Sequence, residues 1–288
     1  MLLISNDSNL FQTLQNLVNT RKLIFLAGLP GTGKSLLLQQ LAILAHNCGR
    51  RPHLLQWDVC RLPFLTNAHV MTHYHEKDGI THSGVRKAVG MWARLAVKNW
   101  TEKYAGCNDI LIGEIPIIGN RLVELVRQEP DSIEPILVDA KLTFFGIPTP
   151  SREVRQRIEM QRKVRSSNPL HEREKGDAEP NIMYKLWEEL HDLALHFGLI
   201  EANENSKKQY NPDLYFRTYS VLLKHRPASR ININKILPTE GQSVYDLSVG
   251  QIELVPSEKE VESVMDVMEK RYSQPGELEQ SVDKWYEV

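Results

Sequence analysis

The run Lys22–Ala27, KLIFLA, passes directly into Gly28–Ser35, GLPGTGKS, and then into the leucine-rich stretch that starts at Lys34. A short apolar run bounded by glycine reads as a buried strand, and the segment Lys34 to His46 after it reads as a helix. Strand, tight glycine turn and helix therefore follow one another within about 25 residues. That order fixes how the chain begins and limits the folds available to the rest.

The same alternation continues. HLLQWD, His53 to Asp58, is a second strand, Ser83 to Tyr104 carries helical spacing through Val85, Val89, Trp92, Leu95 and Ala96, and DILIGE is a third strand ending near Glu114. Asn120 to Arg127 is expected as a short helix, and LTFFGI, Leu142 to Ile147, as a fourth strand closed by Pro148. Strands alternating with helices predict an α/β fold, a mainly parallel sheet with helices on both faces. Residues 1–150 are expected to form this core. Residues 151–180 are an arginine-rich, lid-like segment, of which Ser151 to Arg165 is helical and the polar stretch SSNPLHEREKGDAEP is mobile. Residues 181–288 return to the core through a helix, Ile182 to Phe197, and add a C-terminal extension. In that extension Arg230 to Leu237 reads as a last strand, and PSEKEVESVMDVMEKRY as a helix.

Composition narrows the class. Hydrophobic residues at 41% and charged residues at 25% suit a packed core and exclude general disorder. A formal net charge of -1 gives no global positive field for nucleic acid or anionic lipid. Cys48, Cys60 and Cys107 form no CxxC pair, which suits reduced thiols. With no signal-peptide pattern in MLLISNDSNLFQ and no apolar run of spanning length, the expected setting is cytoplasmic, without a membrane.

GLPGTGKS fits GxxxxGK[ST] at each fixed position, Gly28, Leu29, Pro30, Gly31, Thr32, Gly33, Lys34 and Ser35, between a strand and a helix as that pattern requires. The glycines let the backbone wrap a phosphate so that amide N–H groups and the helix N-terminus face the anion. Lys34 adds a point charge at the β and γ phosphates, and the Ser35 hydroxyl coordinates Mg²⁺. A turn that only links strand to helix is the alternative. This is the pattern of the P-loop nucleotide-binding class, which would hold ATP, in preference to GTP, with Mg²⁺.

Other residues bear on the chemistry. Asp58-Val59-Cys60-Arg61 is a DxxR arrangement at a strand end, where ligands of parallel sheets bind. Asp58 could take the proton of an attacking hydroxyl and Arg61 neutralise a phosphate on the acceptor; a helix cap with a surface arginine is the plain alternative. Glu114 closes the third strand and could hold a magnesium-bound water, or be an ordinary strand-end glutamate. The arginines of Ser151 to Arg165, with Arg152, Arg155 and Arg162 on one helical face and Val154, Ile158 and Met160 elsewhere, suit a lid that steadies a transferring phosphoryl group; a solvated charged helix is the alternative. His69, His73, His75 and His82 read as part of a loop over the acceptor site, and Tyr210, Tyr215, Phe216 and Tyr219 as packing residues.

On the phosphate loop, the DxxR and the arginine-rich segment, Lys22 to Arg165 resembles P-loop kinases of the polynucleotide-kinase and adenylylsulfate-kinase type. The resemblance implies phosphoryl transfer from Mg-ATP to a small or nucleotide-like hydroxyl acceptor, nucleic acid entering only as an end-hydroxyl acceptor. It makes Lys34, Asp58, Arg152 and Arg155 catalytic, Arg61 acceptor-binding, and Ser35 and Glu114 metal-holding. The other reading is a regulatory NTPase acting on a protein partner. No DxxG follows the loop, Asn234-Lys235-Ile236-Leu237 lacks the final Asp of a guanine motif, and the third strand has no Asp-Glu pair.

Overall fold

A computed structural model describes residues 2–77, 80–104, 106–201, 209–237, 239 and 241–288. In chain order the elements are α1 (Asn9–Thr20), β1 (Leu23–Ala27), α2 (Lys34–Asn47), β2 (Arg51–Gln56), α3 (Trp57–Cys60), α4 (Leu62–Thr66), α5 (Ala68–His73), α6 (Ser83–Tyr104) and β3 (Asp109–Ile115). They continue with α7 (Glu134–Val138), β4 (Thr143–Pro150), α8 (Arg152–Ser167), α9 (Pro180–His196), α10 (Pro212–Leu222), β5 (Ala228–Ile233), β6 (Ile252–Glu253), α11 (Glu258–Arg271) and α12 (Glu277–Asp283).

The six strands form one sheet in the order β5-β4-β1-β3-β2-β6, and every pairing is parallel. Because strand side chains alternate between faces, β1 sends Leu23, Phe25 and Ala27 to one side and Ile24 and Leu26 to the other. The first set packs with residues of α6, α9, α10 and α11, including Trp92, Trp187, Tyr215 and Met265. The second packs with α1 and α2 through Leu14, Leu37 and Leu41, and with Val154 of α8. Both faces are thus covered, as the alternation of elements predicts. The segment expected as a C-terminal extension supplies both edge strands, β5 and β6, so the sheet draws on either side of residue 150. Its helix α11 starts with a reciprocal capping box, Ser257 and Glu260, and packs on α6.

Three local expectations are corrected. The second strand stops at Gln56, so Asp58 lies in the first turn of α3 rather than at the end of a strand. Asn120 to Arg127 holds only a 3₁₀ turn at Val123–Leu125, because Asn120 and Leu122 take left-handed φ of 59° and 61°, which interrupts a helix. Pro148 does not close the fourth strand: β4 runs to Pro150 beside β5. Phe145 and Ser151 donate their N–H groups toward the β5 side, so in a strand the N–H positions of Pro148 and Pro150 face the β1 side, where pairing has ended at Gly146. The polar stretch SSNPLHEREKGDAEP contains a 3₁₀ turn, Glu172–Gly176, with Glu174 buried. Among the described residues no helix is long and apolar enough to cross a membrane.

Candidate functional site

In a parallel sheet all strands point the same way, so the loops that leave their carboxyl ends gather along one edge, and the crevice opens where successive strands depart to opposite sides. Here that happens at β1, flanked by β3 and β4. A cavity of about 530 Å³ lies along this edge, within the range of small-molecule sites. The glycine loop and the start of α2 supply Gly31, Lys34 and Ser35; α3 with its C-cap, and the loop after β3, supply Asp58, Arg61 and Arg121; α8 and the chain after β5 close the other flank with Ile158, Arg162 and Ile236.

Lys34 is 5% exposed; its Nζ donates to the Leu29 carbonyl at 2.9 Å and stands 3.5 Å from Glu114 Oε1. The nearby Ser35 hydroxyl favours the charged form of the same carboxylate. Burial pushes the Glu114 carboxyl up and the Lys34 ammonium down, each restrained by the opposite charge of the other. Ser35 and Glu114 both line the cavity, and their hard oxygen atoms would suit a magnesium ion that takes further ligands from phosphate and water. Among the described residues there is no cluster of three or more metal-ligating side chains.

The geometry brings Asp58 into this space: its carboxylate is 66% exposed and paired to Arg61 Nε at 3.5 Å. Arg61 also donates to Thr81 Oγ1 at 3.0 Å and to Glu76 Oε1 at 3.2 Å, which fixes its guanidinium on the β2 flank.

The arginine-rich helix is arranged differently from the expectation. Val154 and Ile158 share the cavity-facing side of α8 with Arg162 and Arg165, whereas Arg152 is exposed and does not line the cavity. Arg155 is a buried support: its side chain is 2% exposed, Nη1 donates to the Pro30 carbonyl at 2.6 Å, Nε donates to Glu159 at 2.8 Å, and the Tyr210 ring lies 5.5 Å away. It holds the back of the glycine loop.

Arg162 and Arg165 are already engaged. Arg162 pairs with Asp177 at 3.4 Å and Arg165 with Glu174 at 3.3 Å. Those carboxylates accept in turn from Tyr245 Oη at 2.7 Å and Ser243 Oγ at 2.6 Å. Sequence reasoning missed Arg121, Glu174, Asp177 and Tyr245. Only Arg121 carried a usable signal, its place just beyond a strand whose end already held a candidate acid.

His69 bonds Glu269 of α11 at 2.6 Å, which places the histidine stretch against that helix; Asp78 and Gly79 of the stretch lie outside the described residues. Tyr215 and Tyr219 are buried in the core. Comparison of the chain with protein-family models, curated proteins and solved structures finds no match.

Proposed function

We propose that the chain is a P-loop kinase, binding Mg-ATP and transferring its terminal phosphoryl group to a hydroxyl of a small or nucleotide-like acceptor. The observation that carries the proposal is the convergence of Lys34, Ser35, Asp58, Arg61, Glu114 and Arg162 on one cavity at the carboxyl edge of the sheet. Backbone N–H groups of the glycine loop and Lys34 would bind the donor phosphates. A magnesium ion held by Ser35 and Glu114 would neutralise phosphate charge. In the transfer, the acceptor oxygen bonds to the γ-phosphorus as that phosphorus loses its bond to the β–γ bridging oxygen. ADP leaves with the electron pair, and the hydroxyl proton passes to Asp58. Arg162 stabilises the charge on the transferring group, and Arg155 keeps the loop in register.

One observation favours the second reading, a regulatory NTPase. Asp177 and Glu174 hold the cavity-facing arginines of α8 and are themselves bonded to Tyr245 and Ser243 of the C-terminal segment. Nucleotide phosphates competing for those arginines would change how α8 is tied to that segment, a change a protein partner could read.

Magnesium-dependent ADP release from ATP by wild type, Lys34→Ala and Asp58→Asn, with and without a panel of nucleosides, nucleotides, sugars and 5′-hydroxyl oligonucleotides, separates the two. Acceptor-stimulated turnover lost in both variants is the expected result. Slow turnover that ignores every acceptor and survives Asp58→Asn would replace the kinase by the regulatory NTPase.

A further inference from the structure

The loop after β3 is built under strain. Between Pro116 and Val123, Ile117, Gly119, Asn120 and Leu122 all take positive φ, at 65°, 66°, 59° and 61°. For a β-branched isoleucine this region is a steric outlier, and such strain persists only where the surroundings impose it. They do so here: Ile117 and Arg121 pair with each other through their backbones, and Tyr219 Oη donates to the Pro116 carbonyl at 3.0 Å.

What the loop achieves is the placement of two guanidinium groups. Arg86 Nη1 donates to the Gly119 carbonyl at 2.6 Å, and Arg121 Nη1 to the Ile118 carbonyl at 3.0 Å. A Cβ on Gly119 would stand 3.0 Å from Arg121 Nη1 and 3.4 Å from Arg86 Nη1, so both cations lie close beside the same backbone position. Among the described residues neither arginine has a carboxylate within 4.0 Å. Glu189 acts on both from a greater distance, as do Asp283 on Arg86 and Asp58 and Arg61 on Arg121. Burial and the neighbouring arginine charge weaken Arg121's hold on its proton. Each side chain has further N–H donors to offer, and Arg121 lines the cavity on the same flank as Asp58 and Arg61.

We infer that Arg121, backed by Arg86 and the Pro116–Leu122 loop, is a subsite for a dianionic tetrahedral group, so that the acceptor is an alcohol that already carries a phosphomonoester. The inference rests on the kinase reading, since it assigns the acceptor side of that site. The Arg121 guanidinium, which lines the cavity with the Arg86 charge close by, matches a phosphate through forked N–H donors better than it matches a neutral hydroxyl.

The test loads the full chain with Mg²⁺ and a non-hydrolysable ATP analogue, then titrates inorganic phosphate, adenosine 5′-monophosphate against adenosine, and ribose 5-phosphate against ribose. Wild type is expected to bind phosphate saturably and the favoured phosphorylated compound at least about tenfold more tightly than its dephosphorylated partner. The nucleotide and sugar arms identify which compound carries the phosphate. Arg121→Gln should lose that preference while holding the ATP analogue within about twofold, and Arg121→Lys should restore part of it. Failure of wild type to bind the analogue would refute the kinase reading itself. Analogue binding without phosphate binding, without a phosphate preference, or with a preference that survives Arg121→Gln would overturn this inference alone.

Discussion

Lys34 Nζ stands 3.5 Å from Glu114 Oε1 with only 5% and 17% of the two side chains exposed, so the cation of the glycine loop is neutralised by the adjoining strand. Removing one partner of a buried pair leaves the other charge unpaired in a poor solvent, which costs more than removing both. Lys34→Met and Glu114→Gln are each expected to lower unfolding stability by about 2–4 kcal/mol, and the double variant to lose less than the sum. Urea unfolding of the four proteins measures the coupling. Strictly additive losses would mean that the two side chains do not stabilise each other.

Gly31 and Gly49 share a φ of 72°, but a Cβ at Gly31 would come 2.1 Å from Met183 Cε and 3.0 Å from Arg155 Nη1, whereas nothing lies within 4 Å of one at Gly49. Gly49→Ala therefore isolates the backbone cost, about 1 kcal/mol, and Gly31→Ala adds the displacement of Met183 and Arg155, for a total of roughly 2–4 kcal/mol. Denaturant midpoints at equal m-values report the difference. Equal losses would show that Met183 moves aside freely and that the loop is not braced from behind. Under the kinase reading Gly31→Ala also weakens ATP binding and Gly49→Ala does not.

How much of this was legible in the sequence follows from the range of each interaction. β1, α2 and α6 are written in local periodicity, and Ser83–Tyr104 matches the expectation at both ends. Pro148 misled because a proline's cost in a strand depends on which side its missing N–H faces, a fact of sheet order rather than of neighbours in sequence. The site divides the same way. Gly28–Ser35 is contiguous and readable, while the partners of Arg162 and Arg165 come from Asp177 and Glu174 and then from Tyr245 and Ser243, pairings made by the fold. The place of Arg155 in the arginine-rich segment after the fourth strand suggests a lid; only the packing of α8 reveals its bond to the Pro30 carbonyl.

Glu134 joins two arginines distant in sequence, bonding Arg226 Nη1 at 2.7 Å and Arg94 Nη2 at 2.7 Å. Burial opposes its charge, but the hydrogen bonds of Arg226 and Arg94 and the charge of Arg226 prevail and hold its carboxyl below the usual 4.5. A folded-state value below the unfolded one gives stability that is fully present above pH 4.5 and is lost as pH falls through the folded value. Because the Arg226 side chain is fully buried, Glu134→Gln is expected to cost about 3–5 kcal/mol near neutrality. The variant's loss relative to wild type should shrink on acidification below pH 4.5. Chemical denaturation of both proteins across that range checks the sign; a gap that widens would contradict it.

Asp177 accepts from Tyr245 Oη at 2.7 Å and from Arg162 Nη2 at 3.4 Å, so one carboxylate ties a cavity-facing arginine to the C-terminal segment. Under the kinase reading a triphosphate reaching Arg162 must compete with Asp177, and the two arrangements exchange one charge-assisted pair for another. Asp177→Asn keeps the shape and a carbonyl acceptor for Tyr245 but removes the competing charge. The expected result is several-fold tighter binding of Mg-ATP, with a smaller gain at high salt because the competition is electrostatic. Titration calorimetry at low and high ionic strength reads both effects. Weaker binding in Asp177→Asn would show the opposite role, in which Asp177 aims Arg162 at the phosphates, and would place the carboxylate among the groups that assemble the site rather than those that restrain it.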